Sequence, residues 1–332
     1  MKCPQCSRNH RLRRHGMKCI FCHYHFCFNP KAQGTRRLTD GKFLACVRAA
    51  SQNDTTYFTR NQLYAVYCRR LRKSPVTSLV IGGVLLILAA GIYFTISPQK
   101  PGSEQAAQAG IAFFFGVAGI IIIGFGQYIA RQAIPRQDFD MVLGKWLGQG
   151  RKLDRLLEQP SLHEPPPEWN ELDIYDYGVE RLLIVEHDLL VDLFVKNGMH
   201  AEQRMLVISE SGYPDYLMEV ARRLLDEQPD LPVFLLHDAT AHGTAMQERL
   251  LSSGMLPVES HPLVDLGMRP LDFRKLKRTR QFDRANSNRH LPVDALPLPF
   301  MAMGLGVAMT EQMAFSEIIE GQDEGDISGD FG

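Results

Sequence analysis

Four cysteines at the start of the chain have the spacing of a metal site. "CPQCSRNHRLRRHGMKCIFC" places Cys3, Cys6, Cys19 and Cys22 as C-x2-C-x12-C-x2-C. Each C-x2-C pair turns tightly enough to aim two thiolates at one ion. Two such knuckles complete a tetrahedral zinc ribbon with four sulfur ligands. Four protein ligands leave no open position, so the zinc is expected to be structural. His23, His25 and Cys27 follow closely and read as a capping strand rather than as ligands. A second group lies far along the chain. "PVFLLHDATAHG", Pro232 to Gly243, reads as a buried strand that ends in Asp238 and turns into a helix. Glu186 ends an earlier apolar run in the same way. Acids so placed hold hard cations such as Mg2+ or Mn2+. Such sites usually carry a second acid two residues on, and Thr240 stands there instead.

The elements that must position these acids follow a regular pattern. "RLLIVE" (Arg181 to Glu186), "RMLVIS" (Arg204 to Ser209) and "VFLLHD" are apolar runs of strand length. Between and after them lie "DLLVDLFVKNG", "PDYLMEVARRLLDEQ" and "HGTAMQERLLSSG", each with apolar residues at helical spacing. Alternating strands and helices with near-continuous apolar strands predict an α/β fold, a parallel sheet with helices on both faces. In such sheets ligands bind at the carboxyl ends of the strands, so Glu186 and Asp238 are expected at one edge.

Four blocks in order, "LLIVEHD", "LVISESGYPDYLMEVARRLL", "PVFLLHDATAHGTAM" and "PLVDLGMRPLDF", resemble the Toprim domain found in the A subunit of topoisomerase VI and in its meiotic double-strand-break relatives. The resemblance covers roughly Asp176 to Phe273. It implies that Glu186 and Asp238 are two of three Mg2+-holding acids and that the third position falls on Thr240. In that family a tyrosine on a preceding domain attacks the DNA backbone. Only "TRNQLYAVYCRR" bears on this, and there the attacking position falls on Ala65, between Tyr64 and Tyr67. Two acids can hold one Mg2+ with substrate present but are less suited to the paired ions of phosphoryl transfer. Asp188 and His242 are possible ancillary ligands, the histidine favouring a softer metal. His237 alternates to the opposite strand face. All three read equally as polar, hydrogen-bonded loop.

The remaining chain fixes the setting. All seven cysteines precede residue 70, which argues for a local metal site over a disulfide framework. Residues 1–28 form the ribbon, and 29–75 a basic module of two short helices. Val76–Ile96 and Ala109–Ala130 carry no charged residue and are each about the length that crosses a bilayer core. They predict a transmembrane hairpin over 76–130, with Gly82, Gly83, Gly91, Gly116, Gly119 and Gly124 permitting close helix approach. "RRLRK" before the first span, and Arg131 and Arg136 after the second, place both termini in the cytoplasm. An amphipathic stretch to about Leu157 and a Pro-rich linker fill 131–170. The Toprim-like domain with a basic extension spans 171–290, a helical segment 291–319, and a disordered acidic tail 320–332.

Within the extension, Arg274, Lys275, Lys277, Arg278 and Arg280 could meet nucleic-acid phosphates or an anionic leaflet. Three functions follow. The first is a membrane-anchored, non-catalytic or weakly active Toprim-like module that binds a phosphate-bearing ligand, DNA or a partner protein. The second is a metal-dependent nuclease or topoisomerase VI A-like enzyme acting on DNA at the membrane. The third is a membrane scaffold recruiting partners through its ribbon.

Overall fold

The structure, a computed structural model, describes residues 1–31, 38–71, 76–94, 102–131, 134–165, 178–269, 291–315 and 317–318. It divides into two compact units, one of Met1–Cys68 with Ile134–Gly332 and one of Arg69–Ala133. The basic cluster Arg274 to Arg280 and the acidic tail lie outside the described residues.

The larger unit begins with a local repeat. Met1–Cys6 reads MKCPQC and Met17–Cys22 reads MKCIFC. Both copies fold alike: Ser7 N–H and His23 N–H bond back to the Cys3 and Cys19 carbonyls at 2.9 and 3.0 Å. Ser7 and His23 each take φ +57°, the left-handed turn that closes the knuckle. Antiparallel bridges Lys2–Asn9 and Lys18–His25 complete the two small hairpins. His25 thus lies in the expected capping segment.

Next come α1 (Asp40–Ala50) and α2 (Arg60–Arg70), which match the two helices expected in the basic module. Thr39 caps α1 by accepting from Lys42 N–H. The core of this part is closed by chain from beyond the hairpin. α5 (Arg136–Leu147) brings Trp146 to within 5.9 Å of Phe28 and 4.9 Å of Phe43, ring centre to ring centre. Phe139 sits 5.2 Å from Tyr64 and 5.3 Å from Tyr67. A two-residue parallel ladder pairs β1 (Phe58–Thr59) with β2 (Leu156–Leu157). The amphipathic stretch expected to run to Leu157 therefore ends as a helix at Leu147, where Gly148 and Gly150 follow, and resumes as this strand.

The α/β part holds a four-stranded parallel sheet in the order β4 (Met205–Ser209), β3 (Arg181–Val185), β5 (Val233–Leu236), β6 (Leu263–Asp265). Leu182, Ile184, Leu206, Ile208, Val233 and Leu235 point to one face. They form a common core with Leu217, Ala221, Leu224 and Leu225 of α7 (Asp215–Glu227) and with Met246 and Leu250 of α8 (Met246–Ser253). The alternate residues Leu183, Val185, Val207 and Phe234 are equally buried, and α6 (Asp188–Lys196) packs against β3 and β4. Helices on both faces match the expectation. Two details correct it. The helix expected over 242–254 is broken at Ala245 into one turn, Ala241–Thr244, and α8. "PLVDLG" supplies a fourth strand, β6, too short for its periodicity to show. The C-terminal segment is a 3-10 turn, Val293–Ala295, then α9 (Leu298–Glu311).

The smaller unit contains α3 (Val76–Phe94) and α4 (Gly102–Arg131) packed on each other. Both are long and apolar enough to cross a membrane, and only 6% and 17% of their most apolar windows are buried. Ile87, Phe94 and Phe113 are more than 70% exposed. The contact is made at small residues. A Cβ on Gly82 would lie 2.8 Å from the Gly119 carbonyl oxygen, and one on Gly126 would lie 2.1 Å from Ser78 Cβ. Gly83, Gly91 and Gly124, also expected at this seam, face open space.

Candidate metal centres

The sulfurs of Cys3, Cys6, Cys19 and Cys22 lie within 4.8 Å of one another. Cys3 and Cys22 are 3.4 Å apart, and Cys6 and Cys19 3.8 Å. A tetrahedral zinc with bonds of about 2.3 Å sets its sulfurs about 3.8 Å apart, so the donor set fits that ion. Four thiols this close resist common ionisation without a cation. The Cys22 backbone N–H helps draw Cys19 down to about 6. Desolvation pushes Cys22 up to about 12. Cys27 lies outside the cluster, its Sγ directed 3.6 Å to the Lys145 carbonyl.

The cysteine-bearing segment is locked to α1 by one buried carboxylate. Asp40 is 1% exposed and accepts from the Cys27 and Phe28 backbone N–H groups, the Tyr24 hydroxyl and the Arg151 guanidinium at 2.8–3.1 Å. This residue carries no pattern in the sequence beyond its place as first residue of a helix.

At the sheet edge, Glu186 follows β3 directly and Asp238 lies two residues past β5. Their backbones stay paired, with Glu186 N–H to the Leu236 carbonyl at 3.0 Å. Asp238 N–H donates to Glu186 Oε2 at 2.8 Å. Ligand atoms of Glu186, His187 and Asp238 lie within 4.8 Å of one another, a donor set that could hold one cation. Each acid also meets an imidazole. His187 Nε2 is 3.1 Å from Asp238 Oδ2, and His242 Nδ1 is 3.0 Å from Glu186 Oε1. The Asp238 bond raises His187 to about 9. The two acids are buried while both histidines are more than half exposed, so the imidazoles cover the carboxylates.

Thr240 lies beside this cluster, but its hydroxyl accepts from Gly243 N–H at 2.7 Å and caps the turn Ala241–Thr244. Gly243 is obligatory: a Cβ there would lie 2.4 Å from the Asp238 carbonyl oxygen and 3.0 Å from Glu186 Oε2. Asp188 is held apart from the acids by Ser209 and Ser211, both of which donate to its Oδ1 at 2.6 Å. β5 ends at Leu236, so the expected strand alternation does not extend to His237, whose Nδ1 is 2.9 Å from the Asp238 carbonyl oxygen and whose Nε2 is 3.1 Å from Asp265. Burial opposes its protonation, but the Asp265 carboxylate and Asp238 carbonyl outweigh that and raise it.

Sequence reasoning missed two neighbours of the acids. His187 is one. The other is Asp294, brought in by the antiparallel bridge between Ala239 and Leu291. Val293 N–H donates to Asp238 Oδ1 at 2.8 Å. Burial raises the Asp294 carboxyl, Asn61 opposes the rise through a 2.8 Å bond, and the Asp238 charge adds to it. No pattern around Asp294 marks it in the sequence. Tyr64 and Tyr67 are both core residues, and the Tyr64 hydroxyl donates to the Ile134 carbonyl at 2.6 Å.

Residues 181–291 match the family of Toprim domains from the A subunit of topoisomerase 6 and from Spo11. The match supports a Toprim domain in this segment. Curated relatives agree. The chain is 30% identical over 80 residues to the A subunit of type 2 DNA topoisomerase 6 from Sulfurisphaera tokodaii. It is 31% identical over 80 residues to the proteins of that name from Saccharolobus shibatae and Hyperthermus butylicus. Each alignment covers 24% of this chain and 20% of the relative, so the chain spans about a fifth of the curated relatives it matches. No solved structure matches it significantly. Glu186, Asp238 and the Thr240 turn all fall inside the segment shared with the Toprim family.

Proposed function

We propose that this chain is a membrane-anchored Toprim-like protein that binds a phosphate-bearing ligand, with nucleic acid first among the candidates, and does not cleave DNA efficiently. The observation that carries the reading is Thr240. It occupies the third acid's position and commits its hydroxyl to the Gly243 amide. Glu186 and Asp238 would hold a single Mg2+ or Mn2+, which supplies charge neutralisation toward a bound phosphate. His242 would have to swing off Glu186, and His187 would have to give up its bond to Asp238 or turn to the metal as a further ligand, which weakens metal binding. With Tyr64 and Tyr67 buried in the core, no tyrosine among the described residues of α2 is placed to attack a backbone.

The Thr240→Asp substitution tests this. Aspartate caps a helix as well as threonine, so the turn survives. Mn2+ at about tenfold its dissociation constant stabilises a protein by roughly 1.4 kcal/mol. The melting temperature of the full chain is expected to rise with Mn2+ more in the Thr240→Asp form than in the natural one, and not at all in Asp238→Asn. Efficient Mg2+-dependent DNA cleavage by the natural chain, abolished by Glu186→Ala, would instead establish the nuclease reading.

Anchoring is carried by α3 and α4, whose exposed apolar surfaces need a lipid-like environment. The basic flanks support a cytoplasmic position for both soluble parts. In intact cells, a cysteine introduced at Ser103 is expected to react with an impermeant thiol reagent from outside, and one at Ser161 is not. Labelling at Ser161 overturns the topology.

A further inference from the structure

The first acidic residue of the chain is Asp40. Before it, Lys2, Arg8, Arg11, Arg13, Arg14 and Lys18 are all exposed on the ribbon. The two knuckles have the same backbone but different tips. Pro4 and Gln5 lie between the first pair of cysteines; Ile20 and Phe21 lie between the second. Ile20 is 49% exposed and Phe21 48%. Single exposed apolar residues are ordinary. This pair is pinned between Cys19 and Cys22, so a rigid knuckle presents it. The Arg8 guanidinium lies over the Phe21 ring at 4.7 Å, which joins the apolar tip to the cationic surface.

We propose that the ribbon binds the surface of an anionic bilayer, with Ile20 and Phe21 entering the headgroup layer and the exposed cations pairing with lipid phosphates. Such a surface offers negative charge outside and apolar depth beneath, which is the complement of this tip. Nucleic acid offers the charge and flat faces for stacking, but Ile20 has no π face to stack. Each cation near an anionic leaflet adds about fivefold to partitioning. The inference rests on the membrane reading of the α3–α4 hairpin, which tethers the ribbon and raises its local concentration at lipid.

The test uses the full chain carrying Phe21→Trp, reconstituted into vesicles of phosphatidylcholine alone or with roughly one-third phosphatidylglycerol, a typical anionic fraction. Emission beyond that of the natural chain reports the tip. It is expected to shift to the blue in anionic vesicles and to be quenched by brominated lipid at least about threefold more than in neutral ones. Arg8→Glu with Arg11→Glu and Arg13→Glu is expected to abolish the difference while bound zinc is unchanged. Ile20→Trp serves as a second reporter should Phe21→Trp lose zinc. Water-like emission in both vesicle types overturns the proposal. So does a blue shift produced by added DNA and not by anionic lipid. Failure of the anchoring reading is seen separately, as release of the natural chain from neutral vesicles by alkaline carbonate.

Discussion

Replacing Cys19 with serine is expected to abolish zinc binding at the four-cysteine cluster and to unfold the first 28 or so residues. Structural zinc contributes about 10–16 kcal/mol to folding in units of this size, far more than so small a core supplies. Among the described residues, that core is little more than the cysteines themselves with Phe26, flanked by Met1, Met17 and Tyr24. Serine offers no thiolate, and the remaining three sulfurs leave the tetrahedron open. Metal analysis should fall from one zinc per chain to none. Backbone amide signals of the two knuckles should collapse to random-coil positions while those of the parallel sheet stay dispersed. Natural chain that contains no zinc when purified reduced would defeat this expectation.

Replacing Asp40 with alanine destabilises the junction between the cysteine-bearing segment and α1 by about 3 kcal/mol, because it leaves buried donors without an acceptor and the partly buried Arg151 without its counter-charge. Arg151 is 19% exposed and loses its carboxylate. The Cys27 and Phe28 N–H groups and the Tyr24 hydroxyl lose their acceptor together. Asp40→Asn keeps one acceptor oxygen and should cost less. Trp146 reports the loss directly, since it stacks on Phe28 and lies under the Arg151 guanidinium at 4.6 Å. Its fluorescence midpoint in urea should move markedly lower. An unchanged midpoint in Asp40→Ala would show that other contacts hold the junction.

How much of this was legible in the sequence depends on whether a feature is local. The cysteine spacing and the strands around Glu186 and Asp238 are local, and the structure brings each set together. Apolar runs of four residues mark β3 and β4 clearly. β6 has three residues and no run to read. The break at Ala245 arises because Thr240 caps its own short turn before α8 begins, a competition that apolar spacing does not register. Asp294 and Asp40 depend on contacts between distant segments. Asp294 is held by Asn61 and Asp40 by Arg151, and neither pairing has a signature within a window of the chain. Gly82 and Gly119 were legible as small residues; that Gly126 joins the seam, where Ser78 sits, is a matter of helix rotation.

The return of the chain after α4 sets an order for its making. α1, α2 and β1 are synthesised first, yet Phe139, Trp146 and Leu156, which complete their core, come only after both apolar helices. On the ribosome this half-built core keeps Phe28, Phe43, Tyr64 and Tyr67 uncovered until α5 emerges. Both apolar helices are therefore synthesised before the module that flanks them is complete. A nascent chain stalled before Arg136 should expose that aromatic surface to chaperones, and one stalled beyond Leu157 should not.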